Sequence, residues 1–235
     1  EAGKRLAHVH QELEAMIAPG ISTWEIDAKG EKLIRDCGCI PNFLHYNGYP
    51  ASICVSVNDE VVHGIPRKDR YLKEGDIVSL DAGLIYKGYH SDAARTHAVG
   101  KVSTEAQKLM DVTKQSFFEG IKMAKEGQHL HDISRAIEEY VTPYGYGIVR
   151  DLVGHGIGTA LHEDPQIPNY AQKRRGVRLQ AGMTLAIEPM INAGTWQVRF
   201  LRDGWTVVTK DGSLSAHYEN TILVTDGEPE ILTLY

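Results

Sequence analysis

Leu72-Lys73-Glu74-Gly75-Asp76-Ile77-Val78-Ser79-Leu80-Asp81 and Leu179-Gln180-Ala181-Gly182-Met183-Thr184-Leu185-Ala186-Ile187-Glu188 decide the fold, because the second restates the first at an offset of 107 residues. Each reads Leu-x-x-Gly followed by an apolar run that ends in a carboxylate. The offset persists upstream without a gap: Met16 matches Met123, Gly20 matches Gly127, Ile26 matches Ile133, Glu31 matches Glu138 and Gly38 matches Gly145. A helix–helix–hairpin unit present twice implies a two-fold pseudosymmetric α/β core. A site on the pseudo-axis would receive one carboxylate from each half. The expected organisation is one domain over residues 1–235, with halves of about 1–107 and 108–235.

Within the first half, Leu6, Val9, Leu13 and Ile17 predict a helix over 3–17 that Pro19-Gly20 ends. Ser22-x-x-Glu25 reads as a capping box opening a second helix, which Gly38 closes. Ser52–Val57 alternates as a strand, and Asp76–Val99 reads as a hairpin around Tyr86-Lys87-Gly88. In the second half, Ser103 caps a helix ending near Gly127, and another helix covers about Asp132–Val141. Met183–Ile191, Gly204–Thr209 and Ser213–Val224 read as strands, with Asp211-Gly212 as the turn between the last two.

Bulk properties narrow the functional classes. The 235 residues are 42% hydrophobic and 24% charged, which suits a globular chain with a core of its own. A net charge of -6 argues against nucleic acid as the main partner. Lys173-Arg174-Arg175 reads as a solvated loop. No apolar run is long enough to span a bilayer and no signal peptide is visible, although the chain begins at Glu1 rather than at a methionine. Cys37, Cys39 and Cys54 cannot all pair and lack zinc-finger spacing, so reduced thiols in a cytosol-like compartment are expected.

The candidate chemistry starts with Asp81 and Asp92, which are symmetric about the Tyr86-Lys87 turn and so are expected face to face. Opposed carboxylates repel unless one holds a proton or both bind a cation; either could also lie at the surface near the turn. Glu188 sits between Leu185-Ala186-Ile187 and Pro189-Met190, where a lone buried glutamate needs a partner. Glu219 precedes the apolar Thr221–Val224 run, although strand alternation also permits it an outward face. His155 lies in Gly154-His155-Gly156-Ile157-Gly158, where glycines allow close backbone approach and unusual dihedrals, so an imidazole on a tight turn is expected. Four carboxylates and one imidazole make a dinuclear ligand set suited to Mn²⁺, Fe²⁺, Co²⁺ or Zn²⁺. Two such ions lower the pKa of a shared water and polarise a carbonyl, so the implied reaction is amide or ester hydrolysis.

Ser79-Leu80-Asp81, Gly88-Tyr89-His90-Ser91-Asp92, Gly154-His155-Gly156-Ile157-Gly158, Ala186-Ile187-Glu188-Pro189-Met190 and Ala216-His217-Tyr218-Glu219 together resemble the ordered ligand motifs of the type I methionine aminopeptidases. The resemblance spans nearly the whole chain. Asn58-Asp59-Glu60-Val61-Val62-His63-Gly64-Ile65-Pro66 and Asp203-Gly204-Trp205-Thr206 narrow it from the wider pita-bread superfamily. It implies an α/β (α+β) pita-bread fold, a curved antiparallel sheet with helices outside and two pseudosymmetric halves. It implies removal of the initiator methionine by metal-activated water. Asp81 would be a terminal ligand of one metal, His155 and Glu188 would bind the other, and Asp92 and Glu219 would bridge. Glu188 would also relay protons, His63 would meet the substrate near its amine or scissile nitrogen, and His162 would hydrogen-bond the scissile carbonyl. Phe43, Tyr46, Tyr49, Cys54, Leu161 and Trp205 would build the methionine pocket, which His63 and His162 border. Asn58 and Ser215 match positions that help hold a monovalent cation.

The partners implied are nascent polypeptide N-termini, with ribosome association as an extension. No direct nucleic acid or membrane contact is expected, and the expected form is a cytoplasmic monomer. Three positions depart from the family pattern. Gly83 stands where threonine is common and so removes a hydrogen bond behind Asp81, His217 stands where glutamine is frequent, and Leu161 stands where an aromatic is common. The rival readings are a proline-directed peptidase (prolidase or Xaa-Pro aminopeptidase), an inactive peptide-binding relative and a creatinase-like metal-free hydrolase. Proline-directed relatives carry an additional N-terminal domain, whereas only residues 1–80 precede Asp81 here. The last two fit poorly with five intact ligands.

Overall fold

The computed structural model describes residues 1–235. Leu6, Val9 and Leu13 recur at helical spacing and are fully buried along α1 (Ala2–Glu14). The helix stops short of the expected residue 17. Met16 and Ile17 bond three residues back, to Leu13 and Glu14, so the last turn tightens before Pro19. Helix α2 (Thr23–Asp36) opens on the expected capping box. Ser22 Oγ accepts from the Glu25 amide at 3.2 Å, and the Glu25 carboxylate accepts from the Ser22 amide at 2.8 Å. Ser22→Ala should cost about 1 kcal/mol and lower the melting temperature by about 2–4 °C, read by a thermal melt. An unchanged melt would mean that the cap contributes nothing.

Helix α3 (Thr104–Ile121) is capped by Ser103 but ends before Gly127, because Met123 and Ala124 again bond three residues back. Helix α4 (Leu130–Val141) starts two residues earlier than expected, with His129 at its cap and Asp132 closing onto the His129 amide. The repeat recurs in three dimensions. Gly20 and Gly127 are left-handed, at φ 94° and 86°, and their amides donate to Leu72 O and Leu179 O. The bridges Ser22–Tyr71 and His129–Arg178 also stand 107 residues apart.

The first-half strands are β1 (Ile40–Pro41), β2 (Ile53–Val57), β3 (Glu60–Val62), β4 (Ile77–Tyr86) and β5 (Tyr89–Ala98). The second half contributes β6 (Gly147–Ile148), β7 (Gly154–Gly156), β8 (Glu163–Ile167), β9 (Thr184–Ile187), β10 (Met190–Asn192), β11 (Val198–Phe200), β12 (Val207–Thr209), β13 (Ser215–His217), β14 (Glu219–Leu223) and β15 (Glu230–Ile231). Nine strands form the main sheet along the path β1-β4-β5-β14-β9-β7-β8, with β2 beside β4 and β15 beside β14. Every pairing is antiparallel.

Two long strands expected from the sequence are broken. Met183–Ile191 splits at Glu188-Pro189, where proline offers no amide to a ladder. Ser213–Val224 splits at Tyr218, whose amide donates to Pro189 O, so the two breaks lie against each other. The strand expected at Gly204–Thr209 is confined to β12, since Asp203 holds the amides of Trp205 and Thr206 in a turn.

Side chains alternate across a sheet, and the helices take one face. Leu80, Ala82 and Ala93 pack with α1 and α2, and Leu185, Ile187 and Ile222 pack with α3 and α4. The intervening positions, which include Asp81, Asp92, Ala186 and Glu219, therefore turn to the opposite face. No helix is long and apolar enough to cross a membrane.

Candidate metal centre

The β4–β5 hairpin corrects the expected opposition of its two aspartates. Tyr86 pairs with Tyr89, so the turn is the two residues Lys87-Gly88, both left-handed at φ 51° and 83°. Asp81 therefore faces Ala94, and Asp92 faces Gly83. The two carboxylates are diagonal neighbours on one face.

His155 lies in strand β7 beside a register shift, not on a tight turn. None of its neighbouring glycines has a positive φ. They are needed for close approach. A Cβ on Gly154 would lie 2.4 Å from Ala186 O, and one on Gly156 would lie 2.3 Å from Asp164 O. The His155 Nδ1–H donates to Gly156 O at 2.8 Å, which leaves the Nε2 lone pair facing the acids. Nε2 lies 3.7 Å from Glu188 Oε1 and 4.0 Å from Asp92 Oδ2. Donor atoms of Asp92, His155 and Glu219 all fall within 4.8 Å of one another.

This cluster is costly without a cation. Burial pushes the Asp81 carboxyl up to about 7. Burial, together with the neighbouring carboxylates, pushes Asp92, Glu188 and Glu219 well above the carboxylate range. Asp81 Oδ1 and Glu219 Oε1 are buried without a hydrogen-bond partner. Burial lowers the imidazoles of His155 and His63 to about 4, so both are neutral at pH 7. Orphaned carboxylate oxygens and a neutral imidazole with a free lone pair fit a divalent ion of the hard-to-borderline kind.

A cavity of about 610 Å³ opens over the cluster. Every residue expected at the site lines it: Asp81, Asp92, His155, Glu188, Glu219, His63, His162, Phe43, Tyr46, Tyr49, Cys54, Leu161 and Trp205. Tyr49 meets Trp205 edge-on at 5.1 Å, and its hydroxyl donates to Gly64 O at 2.9 Å, tying down the segment that carries His63. His63 itself is left-handed at φ 58°. Cys37, Cys39 and Cys54 are all free thiols. Outside the cavity, Asn58 O accepts from the Ser215 amide at 2.9 Å.

Sequence reasoning missed the part played by two departures. At Gly83, the space a side chain would fill is taken by Asn42: a Cβ there would meet Asn42 Nδ2 at 2.7 Å. His217 is buried with both ring nitrogens unpartnered, and its Nε2 lies 3.7 Å from Glu188 Oε2. It was legible only as an odd residue two positions before Glu219. Gln166, also missed, lines the cavity because it pairs with His155 across β7 and β8.

The profile of metallopeptidase family M24 matches residues 1–226. A methionine aminopeptidase of Clostridium acetobutylicum is 54% identical over 100% of this chain and 94% of its own length. The crystal structure of a methionine aminopeptidase from Thermotoga maritima superposes with a TM-score of 0.97 at 47% identity, covering 100% of this chain and 94% of that one. An Xaa-Pro dipeptidase from Bacillus anthracis is more distant, with a TM-score of 0.76 at 25% identity, and this chain covers 58% of it. With full-length matches on both sequence and fold, the chain belongs to metallopeptidase family M24 and, within it, to the methionine aminopeptidases.

Proposed function

We propose that this protein removes the N-terminal methionine from nascent proteins and peptides by hydrolysis of the first peptide bond. The observation that carries the reading is the convergence of four carboxylates and one lone-pair imidazole on the floor of a cavity walled on one side by Phe43, Tyr49, Cys54, Leu161 and Trp205. Asp81, Asp92, His155, Glu188 and Glu219 would hold two divalent ions, drawn from Mn, Fe, Co or Zn, which supply an activated water and a polarised carbonyl when bound. Asp92 and Glu219 would be shared by the two ions, Asp81 would serve one of them, and His155 with Glu188 would serve the other.

Glu188, deprotonated when a cation is held beside it, accepts the proton of the attacking water and passes it to the leaving amine. His162 donates to the scissile carbonyl and supports its growing charge. His63, held neutral by burial, meets the substrate near its N-terminal amine or scissile nitrogen. Phe43, Tyr46, Tyr49, Cys54, Leu161 and Trp205 enclose the substrate side chain. Aromatic edges and a thiol suit an unbranched thioether. The two halves, about 1–107 and 108–235, form one catalytic domain with the site between them. Asn58 and Ser215 are offered as the monovalent-cation position. The nascent chain N-terminus is the partner, met at the ribosome in the cytoplasm, by a monomer.

The test is cleavage of Met-Ala-Ser against Ala-Pro-Ala by protein stripped of metal and then given Mn²⁺ or Co²⁺. Metal-dependent release of methionine from the first peptide alone is expected. Cleavage before proline would keep the metal site and overturn the substrate. Cleavage of neither, with metal bound, would favour an inactive peptide-binding relative.

A further inference from the structure

We infer that Tyr46 is a positioning residue whose hydroxyl fixes the tautomer and aim of His162, in addition to forming a wall of the pocket. The inference rests on the role proposed above for His162. The two rings come from opposite halves, 116 residues apart in sequence, and Tyr46 Oη lies 2.8 Å from His162 Nδ1. A neutral imidazole has one N–H. To donate to a carbonyl through Nε2, His162 must leave Nδ1 bare, and a bare nitrogen is oriented by a donor. The Tyr46 O–H supplies that donor, and Nε2–H is left free for the substrate. The reverse arrangement would leave Nε2 as an acceptor facing an acceptor.

Two further observations support a built contact. The segment carrying the phenol is held in a demanding backbone: His45 and Asn47, on either side of Tyr46, are left-handed at φ 68° and 49°. It is pinned by His45 N–H to Tyr49 O at 2.8 Å and Tyr46 N–H to Phe43 O at 2.9 Å. The His162 ring is packed edge-on against His155 at 4.3 Å between centroids, so its plane is set from one side and its Nδ1 from the other. Tyr46 is 37% exposed, so water could satisfy its hydroxyl and a phenylalanine could line the pocket equally well. What the hydroxyl adds is felt at His162.

Tyr46→Phe, His162→Ala and the double variant are assayed for methionine release from Met-Ala-Ser with metal saturating. Tyr46→Phe should lower kcat about tenfold with KM within about twofold of the parent. His162→Ala should lose roughly 10²–10³-fold. The double variant should match His162→Ala, because the hydroxyl has nothing left to position. Parental kcat in Tyr46→Phe, a change confined to KM, or the same Tyr46→Phe loss in the His162→Ala background would each overturn the inference. Parental turnover in His162→Ala would instead overturn the role of His162, and with it the premise.

Discussion

Asp92→Ala should retain at most one divalent ion per chain and turn over Met-Ala-Ser roughly 10³-fold more slowly than the parent. Asp92 is grouped with His155 and Glu219 and lies diagonal to Asp81. With Asp92 gone, only Glu219 of the proposed bridging pair would remain to be shared by two ions. The backbone tolerates the change: Asp92 N and O are both tied to Thr221 Oγ1, and Ala93 and Ala94 follow in the strand. The fold should therefore persist while the site fails. Metal content after gel filtration and turnover, read together, decide it. Near-normal turnover would sink the bridging assignment.

Stripping the metal should make stability fall as pH rises from about 6.5 to 8. Asp81 titrates near 7 in the folded, metal-free state, and Asp92, Glu188 and Glu219 are held higher still by burial and by one another. In the unfolded chain these groups titrate near ~4. Between those values the folded state binds more protons, so stability drops with increasing pH. Buried histidines act in the opposite sense. His63, His97, His155 and His217 are lowered to about 4, 4, 4 and 3, so they favour folding as pH rises, but only up to their unfolded value near ~6.5. Above that, the carboxylates act alone. The melting temperature of stripped protein should fall by on the order of 5 °C across this window. Saturating Mn²⁺ should remove the fall, because ligands must be deprotonated to bind. A flat or rising melt in stripped protein would mean that the carboxylates are not forced together.

The repeat, the Ser22 capping box and the chain order of the candidate ligands were legible from residue type and spacing, whereas the pocket residues came from the likeness of the motifs and Gln166 was missed. The register of Asp81 against Asp92 was misjudged by two residues. A turn has no visible centre until its left-handed pair is known, and Lys87 is not a residue that advertises a positive φ. Helix ends were overrun at Glu14 and Ile121, where the last turn tightens with no glycine or proline at the exact stop. The break at Glu188-Pro189 was written in the proline, but the break at Tyr218 was not: it answers a carbonyl freed in another strand. His217 needed three dimensions, since only the fold brings its ring to Glu188.

The seam between the halves has a consequence of its own. Strand β14 joins β5 through only Glu219–Ala94 and Asn220–Ala93, reinforced by Thr221 on Asp92 and by the buried Arg95 guanidinium on Glu219 O, Asn220 Oδ1 and Thr233 O. The same few residues carry the bridging carboxylates proposed above. An ion held between Asp92 and Glu219 is then a rivet as well as a reagent. Its binding free energy would add to the cohesion of two lobes that meet in the main sheet along this short ladder and elsewhere where β3 pairs with β12. Exchanging one ion for a weaker-bound one would loosen the joint of the whole molecule, not a single loop.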